Sequence, residues 1–428
     1  MKTFTRVLKR YFQSLNIPKN IDIYDVQMDS KKVSENTLFI AINNGNNYIE
    51  EAINRGASWI ISDNPKHFST HEKVIKVESS IETLQNLAKL YRAALGLKVI
   101  AITGSEGKTT TKDLVFGVLS KKYKTKKTLG NYNNQIGLPY TILQLQDDDE
   151  IVVLEMGMSA LGEIERLSEI AAPNFGIITN IGDSHLEYLK NRDNVFLAKT
   201  ELLRYIEEKN VLTFGDDPYF EKLKTVKVGF NKINDYLIKD FVETYEGGNF
   251  TLNDEKYFVP LNGKYNSINA SFAIAMGKKN GMSYEEIRDS LLNVSITGMR
   301  FQKIEKGEVL YINDAYNASP VSMEASLGAF LSLPIDRKKI VVLGDALELG
   351  ENEIDYHVQI IKTALECNFF EVFVYGERMK KASNIVKSSK VKYFESKSLI
   401  KEKIISLGSV AVLLKGSRGM KLEEIICD

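Results

Sequence analysis

Thr103-Gly104-Ser105-Glu106-Gly107-Lys108-Thr109 follows an apolar run over 99–102 and leads into a segment where Leu114, Val115, Val118 and Leu119 recur at helical spacing. Strand, glycine-rich loop and helix in that order are the context in which such a motif becomes a phosphate site. Backbone N–H groups freed by Gly104 and Gly107 can cradle phosphate oxygens, Lys108 can reach the terminal phosphates, and the Thr109 hydroxyl suits a magnesium ion. The expected ligand is a nucleoside triphosphate. The loop is shortened, because Ile102 stands where the ordinary motif has its first glycine. That form points away from generic GTPases and from P-loop kinases.

The rest of the chain bounds what this loop can serve. A length of 428 residues corresponds to about two to four domains, and an apolar share of 43% is ample for full-sized cores. Lys plus Arg and Asp plus Glu both number 56, so no global field attracts nucleic acid or an anionic membrane. Cys367 and Cys427 provide neither a disulfide framework nor a metal-ligand pair. The stretch 1–12 is basic and reads as an amphipathic helix, without the apolar core of a signal peptide, and no apolar run approaches membrane-spanning length. A cytoplasmic monomer without nucleic-acid or membrane partners is expected.

The pattern predicts an α/β chain of three domains. Over 21–80 it is mixed, with a short strand near 37–42, a helix over 48–55 and a strand at 59–61; a small N-terminal α/β domain is expected over 1–80. A helix over 81–95, closed by Gly96, delivers the chain to the phosphate-loop strand. Apolar runs at 151–156 and 176–181 add parallel strands covered by helices, and hairpins broken by Gly247-Gly248 and Asn253-Asp254 close a central ATP-binding parallel-sheet domain over 81–300. Strands at 340–343, 372–375 and 410–414, alternating with helices, predict a C-terminal Rossmann-like domain over 301–428.

Chemistry-bearing residues gather where these strands end. Glu155 closes one strand, and its carboxylate suits a magnesium shared with Thr109. His185, in Gly182-Asp183-Ser184-His185, is either a ligand or a structural histidine. Lys199 alone reads as a solvated helix lysine. Asn131, Asn133 and Asn134 form either a polar binding cluster or a plain loop. Asp314-Ala315-Tyr316-Asn317 follows an apolar strand over 309–312, and Lys415-Gly416-Ser417-Arg418 follows another; the latter is either an anion site or a solvated basic turn.

Taken in order, TGSEGKTT (103–110), GNYNNQIGLP (130–139), Glu155, His185-Leu186-Glu187, AKTELL (198–203) and NSIN (266–269) resemble the Mur ligases of bacterial cell-wall synthesis. DAYNASP (314–320), LGDALELG (343–350) with His357 behind it, and KGSRGMKLEEII (415–426) resemble the branch that adds D-alanyl-D-alanine to a UDP-N-acetylmuramoyl tripeptide. The DNPR-like motif of the diaminopimelate- or lysine-adding branch is absent, and DAYNASP differs from the DGAHNP-like segment of folylpolyglutamate synthetases.

The resemblance implies an ATP-dependent amide ligase working through an acyl phosphate. Thr103, Gly104, Ser105, Glu106, Gly107, Lys108, Thr109 and Thr110 would hold ATP with Asn266, Asn269, Arg300 and Asp314, the last two joining when the third domain closes. Two magnesium sites are implied, one on Thr109 and Glu155, the other on His185 supported by a carbamylated Lys199. Lys108, Lys199, His185 and Glu155 form the implied catalytic set. Asn131, Asn133, Asn134, Tyr316, Asn317, Lys415, Ser417 and Arg418 would meet the peptide substrates, and Asp29, Ser30 and Lys31 the UDP end. His357 is implied either near the dipeptide or as a structural group. In Asp29-Ser30-Lys31-Lys32 a lysine replaces the family's arginine, losing its planar fork for phosphate. Asn46-Asn47-Tyr48 replaces an expected histidine-containing stretch, Tyr265 a frequent histidine and Ser319 a frequent asparagine.

Overall fold

The computed structural model describes residues 2–14, 23–67 and 71–427. Met1, at the head of the predicted first helix, and Ile21, at the start of the mixed pattern, lie outside them. Three sheets account for the α/β architecture. The first contains four parallel strands in chain order, Asp25–Gln27, Thr37–Ile40, Trp59–Ser62 and Val74–Lys76. The first helix, Lys2–Ser14, buries Phe4, Leu8 and Phe12, and the Phe4 ring meets Tyr91 of the helix Ser80–Leu95 edge-on at 5.1 Å. Ser79 caps that long helix and Gly96 ends it in a left-handed turn at φ +66°. The small sheet and one face of the central sheet share one apolar core through this helix.

The central sheet has nine strands. From one edge they run Glu255–Val259, Gly248–Leu252, Tyr236–Glu243, Val226–Gly229, Val211–Phe214, Phe175–Ile178, Lys98–Thr103, Ile151–Glu155 and Thr125–Lys127. The first three pair antiparallel and the rest parallel. The predicted hairpins are therefore an extension of the ATP-domain sheet. Val226–Gly229 pairs parallel with Tyr236–Glu243 instead of forming a hairpin, its connection wrapped on the Asp216 carboxylate, which accepts from the Phe230 and Asn231 N–H groups.

Lys98–Thr103 sits between two parallel neighbours, and chain order reverses on its two sides. Such a reversal opens a crevice at the strands' carboxyl ends. The strand is apolar throughout because both faces are covered: Val99 and Ala101 join the core shared with the small sheet, while Ile100 and Ile102 pack with the helices Lys108–Leu119 and Lys264–Lys279.

The third sheet has the order Gln302–Lys306, Val309–Asn313, Val410–Lys415, Lys338–Gly344, Glu371–Tyr375, Val391–Tyr393, parallel except for its first strand. The connection leading to it is held to the phosphate-loop helix by Asp113, whose Oδ2 accepts from the Thr297 N–H at 2.8 Å and hydroxyl at 2.7 Å. Among the described residues no helix is long and apolar enough to cross a membrane.

Candidate active site

The phosphate loop is built by close approach. A Cβ on Gly104, at φ +140°, would lie 1.8 Å from the Thr179 Oγ1, and one on Gly107, at φ +79°, would lie 2.8 Å from the Asn269 Oδ1. Neither position accepts a side chain. The loop is pinned from the end of Phe175–Ile178: the Ser105 and Glu106 N–H groups donate to the Asn180 backbone and side-chain oxygens at 3.0 and 2.9 Å. The phosphate cradle thus falls to the first N–H groups of the helix that Gly107 opens. Lys108 folds back on the loop, its Nζ donating to the Gly104 and Ser105 carbonyls at 2.7 and 2.9 Å. Burial, helped by Arg300, lowers its pKa, against the pull of Glu106 and Glu155.

Beside the loop stand Thr109, 4% exposed, and Glu155, 3% exposed. The Glu155 Oε1 accepts from the Asn133 side chain at 2.9 Å, while its buried Oε2 has no hydrogen bond and only the Lys112 Nζ, 3.7 Å away. His185 caps the short helix Leu186–Leu189 in a left-handed conformation, φ +57°. Burial first, then Lys108 and Lys199, push its pKa down to about 4, so at neutral pH the imidazole is uncharged and has a lone pair to offer. Lys199, near the end of the helix Arg192–Thr200, is 2% exposed, and its ammonium has no hydrogen bond or ion pair among the described residues. Burial, with Lys108 nearby, holds its pKa well below the usual lysine range.

Among the described residues no cluster of three His, Cys, Asp or Glu side chains could hold a metal alone. One orphaned carboxylate oxygen, one hydroxyl and one neutral imidazole nevertheless fit magnesium, which dehydrates reluctantly and takes much of its shell from substrate phosphates and water.

Two cavities flank the loop. One, of about 260 Å³, is walled by Phe214, Leu261 and Ile268 and edged by Asn180, Asn266, Asn269 and Asp314. Its amides are linked: Asn266 donates to the Asn262 carbonyl at 2.7 Å, Asn269 to Asn266 at 3.0 Å, and Thr111 to Asn269 at 3.2 Å. An apolar slot edged by a few fixed polar groups suits a nucleobase. The other, of about 320 Å³, gathers Lys108, Thr109, Asn133, Glu155, His185 and Asn317. Arg300 borders both, its guanidinium 4.3 Å from the Tyr316 ring centroid and its buried Nε without an acceptor. The third domain meets the loop directly, where the Ser319 hydroxyl donates to the Glu106 Oε1 at 2.7 Å.

Residues 102–277 match the family described as the Mur ligase middle domain, and 299–418 the Mur ligase glutamate ligase domain. A UDP-N-acetylmuramoyl-tripeptide--D-alanyl-D-alanine ligase of Bacillus subtilis is 39% identical, over 95% of this chain and 93% of its own. The chain belongs to the Mur ligase family. Among solved Mur ligases, MurF from Acinetobacter baumannii superposes with a TM-score of 0.90 at 27% identity, over 99% of this chain and 97% of its own. A MurF ligase from Thermotoga maritima in complex with ADP superposes at 0.85 and 28% identity, over 96% and 97%.

In this Mur ligase not every expected site residue lies at the loop. Asn131 is exposed and Asn134 caps the helix Gly137–Leu143 from its start, accepting from the Ile136 and Gly137 N–H groups, though it also borders the Glu155 cavity. Lys415 borders the cavity of about 260 Å³, paired with Asp314 at 2.9 Å, because its strand ends beside that carboxylate; Ser417 and Arg418 border a further cavity. Asp29, Ser30 and Lys31 line none of these cavities: Asp29 accepts from the Lys31 N–H at 3.1 Å and Ser30 donates to Glu51 at 2.8 Å. His357 is structural, its Nδ1 2.5 Å from the Glu353 carbonyl and its Nε2 accepting from the Ala346 N–H at 3.0 Å.

Sequence reasoning missed Lys112, a lysine 1% exposed lying 3.5 Å from Asp113 and 3.7 Å from Glu155. It also missed Thr179 and Asn180, although the strand-end rule that singled out Glu155 applies equally to residues following 175–178.

Proposed function

We propose that this chain is an ATP-dependent ligase that joins D-alanyl-D-alanine to a UDP-N-acetylmuramoyl-tripeptide, releasing ADP and phosphate. The observation that carries the reading is the convergence of Lys108, Glu155 and His185 on one cavity beside the phosphate loop, with Lys199 buried behind it within electrostatic reach of Lys108 and His185, in a chain that aligns along most of its length with such ligases. A carboxylate is a poor electrophile. Its oxygen attacks the γ-phosphorus, ADP leaves, and the resulting acyl phosphate carries a leaving group that the dipeptide amine displaces through a tetrahedral adduct. The first step brings anions together, so positioning and charge neutralisation do most of the work. The helix N-terminus after Gly107 holds phosphate oxygens, Lys108 swings from its loop carbonyls to the terminal phosphates, and Arg300, already at the mouth of both cavities, offers its guanidinium to them. Asn266, Asn269 and Asp314 orient the nucleoside.

Two magnesium ions, one on Thr109 and Glu155 and the other on His185 and a carbamate of Lys199, would supply further neutralisation. The carbamate forms when the neutral Lys199 amine adds to carbon dioxide, making an N–C bond and losing a proton. Support for it is the burial of that amine without a partner, which favours the uncharged nucleophile. We assign the UDP end to the N-terminal domain around Asp29, Ser30 and Lys31, ATP to the central domain, and the dipeptide to the third. The reading takes the chain as a monomer in the cytoplasm, in keeping with its two free cysteines.

Phosphate release from ATP should require both UDP-N-acetylmuramoyl-tripeptide and D-alanyl-D-alanine. Equal turnover with glutamate and a folate, or with no acceptor, would sink the assignment.

A further inference from the structure

A third cavity, of about 190 Å³, opens between the central and third domains. It runs from Lys108 and His185 to Ser417 and Arg418 and holds three carboxylates, those of Glu106, Asp183 and Glu348. Two are engaged. Glu106 accepts from Ser319, and Asp183 takes both the Nε and the Nη2 of Arg192, at 2.6 and 2.5 Å. Among the described residues Glu348 has no hydrogen bond: the His185 Nδ1 lies 3.0 Å from its Oε2 but out of line for one.

The backbone presents this side chain deliberately. Glu348 is a non-glycine residue at φ +64°, between Leu347, which borders the cavity, and buried Leu349. A glutamate in the left-handed region is held there by its surroundings. The Leu347 N–H donates to the Ser417 Oγ at 3.0 Å, so the loop carrying the free carboxylate is bonded to the loop carrying Ser417 and Arg418. An anionic group and the pair Ser417 and Arg418, whose guanidinium also meets the Glu423 carboxylate, thus face one cavity from two mutually fixed loops.

We propose that Glu348 seats the ammonium of the incoming dipeptide, while Ser417 and Arg418 take its carboxylate. The inference rests on the ligase reading above and deepens it. The ligand chemistry is that of a small zwitterion, and a carboxylate without a hydrogen bond among the described residues, in the cavity that reaches Lys108, seats its ammonium until that group gives up a proton to solvent and attacks the acyl phosphate as the neutral amine, phosphate leaving. Glu348 is a specificity residue for a charged amine and is not needed to activate the peptide carboxylate.

Hydroxylamine separates the two stages, because it is small and largely uncharged at neutral pH and captures an acyl phosphate as a hydroxamate. With ATP, magnesium and UDP-N-acetylmuramoyl-tripeptide, Glu348→Gln should make hydroxamate at the wild-type rate, while its KM for D-alanyl-D-alanine rises about 10- to 100-fold. Propionyl-D-alanine, the same dipeptide without its amine, should inhibit wild type weakly compared with D-alanyl-D-alanine binding, and the variant should lose that discrimination. The proposal is overturned if hydroxamate formation falls in step with dipeptide ligation, or if its magnesium requirement shifts; Glu348 would then act on His185. It is also overturned if propionyl-D-alanine and D-alanyl-D-alanine already bind wild type equally. If wild type makes no hydroxamate, the ligase reading itself fails, a result distinct from a defect confined to the variant.

Discussion

Two regions of this Mur ligase bury the same kinds of side chain and treat them in opposite ways. Around the phosphate loop, among the described residues, Lys199 has no hydrogen bond or ion pair, the Glu155 Oε2 has no hydrogen bond, and neither does the His185 Nδ1. In the third domain, Lys415 is paired with Asp314 and donates to the Asn317 carbonyl at 2.9 Å. There Asp345 accepts from the Met379 and Arg378 N–H groups at 2.8 and 3.2 Å, and both His357 nitrogens are engaged. A buried polar group without a partner costs free energy. A cluster of them around a cavity is what a ligand would complete, whereas the satisfied set holds loops together. Residue type does not separate the two regions; partner accounting does.

Two of the buried lysines, Lys199 and Lys415, test this contrast most sharply. Lys199→Ala should lower ligation by about 1000-fold or more, by analogy with loss of preorganised charge stabilisation. Lys199→Met, which keeps the buried stem and removes only the amine, should be at least as resistant to urea as wild type. A 13C-bicarbonate NMR carbamate signal present in wild type and missing in the variant would assign the modification. Residual activity near the wild-type level would place Lys199 outside the reaction.

Lys415→Met should behave in the opposite sense, leaving Asp314 buried without its cation at a cost of about 3–5 kcal/mol. Equilibrium urea unfolding measures it, and an unchanged midpoint would break the comparison.

The smallest expected effect concerns pH. Burial, outweighing its Glu353 hydrogen bond and nearby carboxylates, holds the His357 pKa below its ordinary 6.5. The unfolded chain therefore takes up the proton first. Stability from this site is complete above about 6.5 and drains as pH falls below it. His357→Gln should flatten part of the wild-type loss of stability over that range; parallel curves would show that the ring is not held neutral. His185, with its pKa near 4, drains over the window from 6.5 down to about 4 and supplies part of the remaining slope.

What the sequence made legible follows from how local each signal is. The phosphate loop, its strand and its helix are contiguous, so composition and periodicity suffice, and Glu155 is found because an apolar strand ends on it. Strands of three residues, Asp25–Gln27, Val74–Lys76, Thr125–Lys127 and Val391–Tyr393, escape because so short a run shows no period. Lys112 escapes because a lysine at helical spacing reads as solvated, and only packing of Lys108–Leu119 against the helix Lys264–Lys279 and the sheet hides it. The contact of Glu348 with His185 joins positions far apart in the chain and belongs to the docking of domains. Lys415 shows the limit from the other side: its motif reads as either an anion site or a solvated basic turn, yet the strand end sends Lys415 to Asp314 while Ser417 and Arg418 border another cavity.

Asp113 lies on the second turn of the helix that Lys108 begins, and it clasps Thr297 just before the third domain. Glu106, immediately before that helix, meets Ser319 of the third domain. The third domain is therefore hung and latched on the same short rod, as a door whose hinge and catch share one post. Any shift of that helix and the loop before it when phosphate enters carries the hinge and the catch together, so their alignment is set by a few residues around one helix N-terminus.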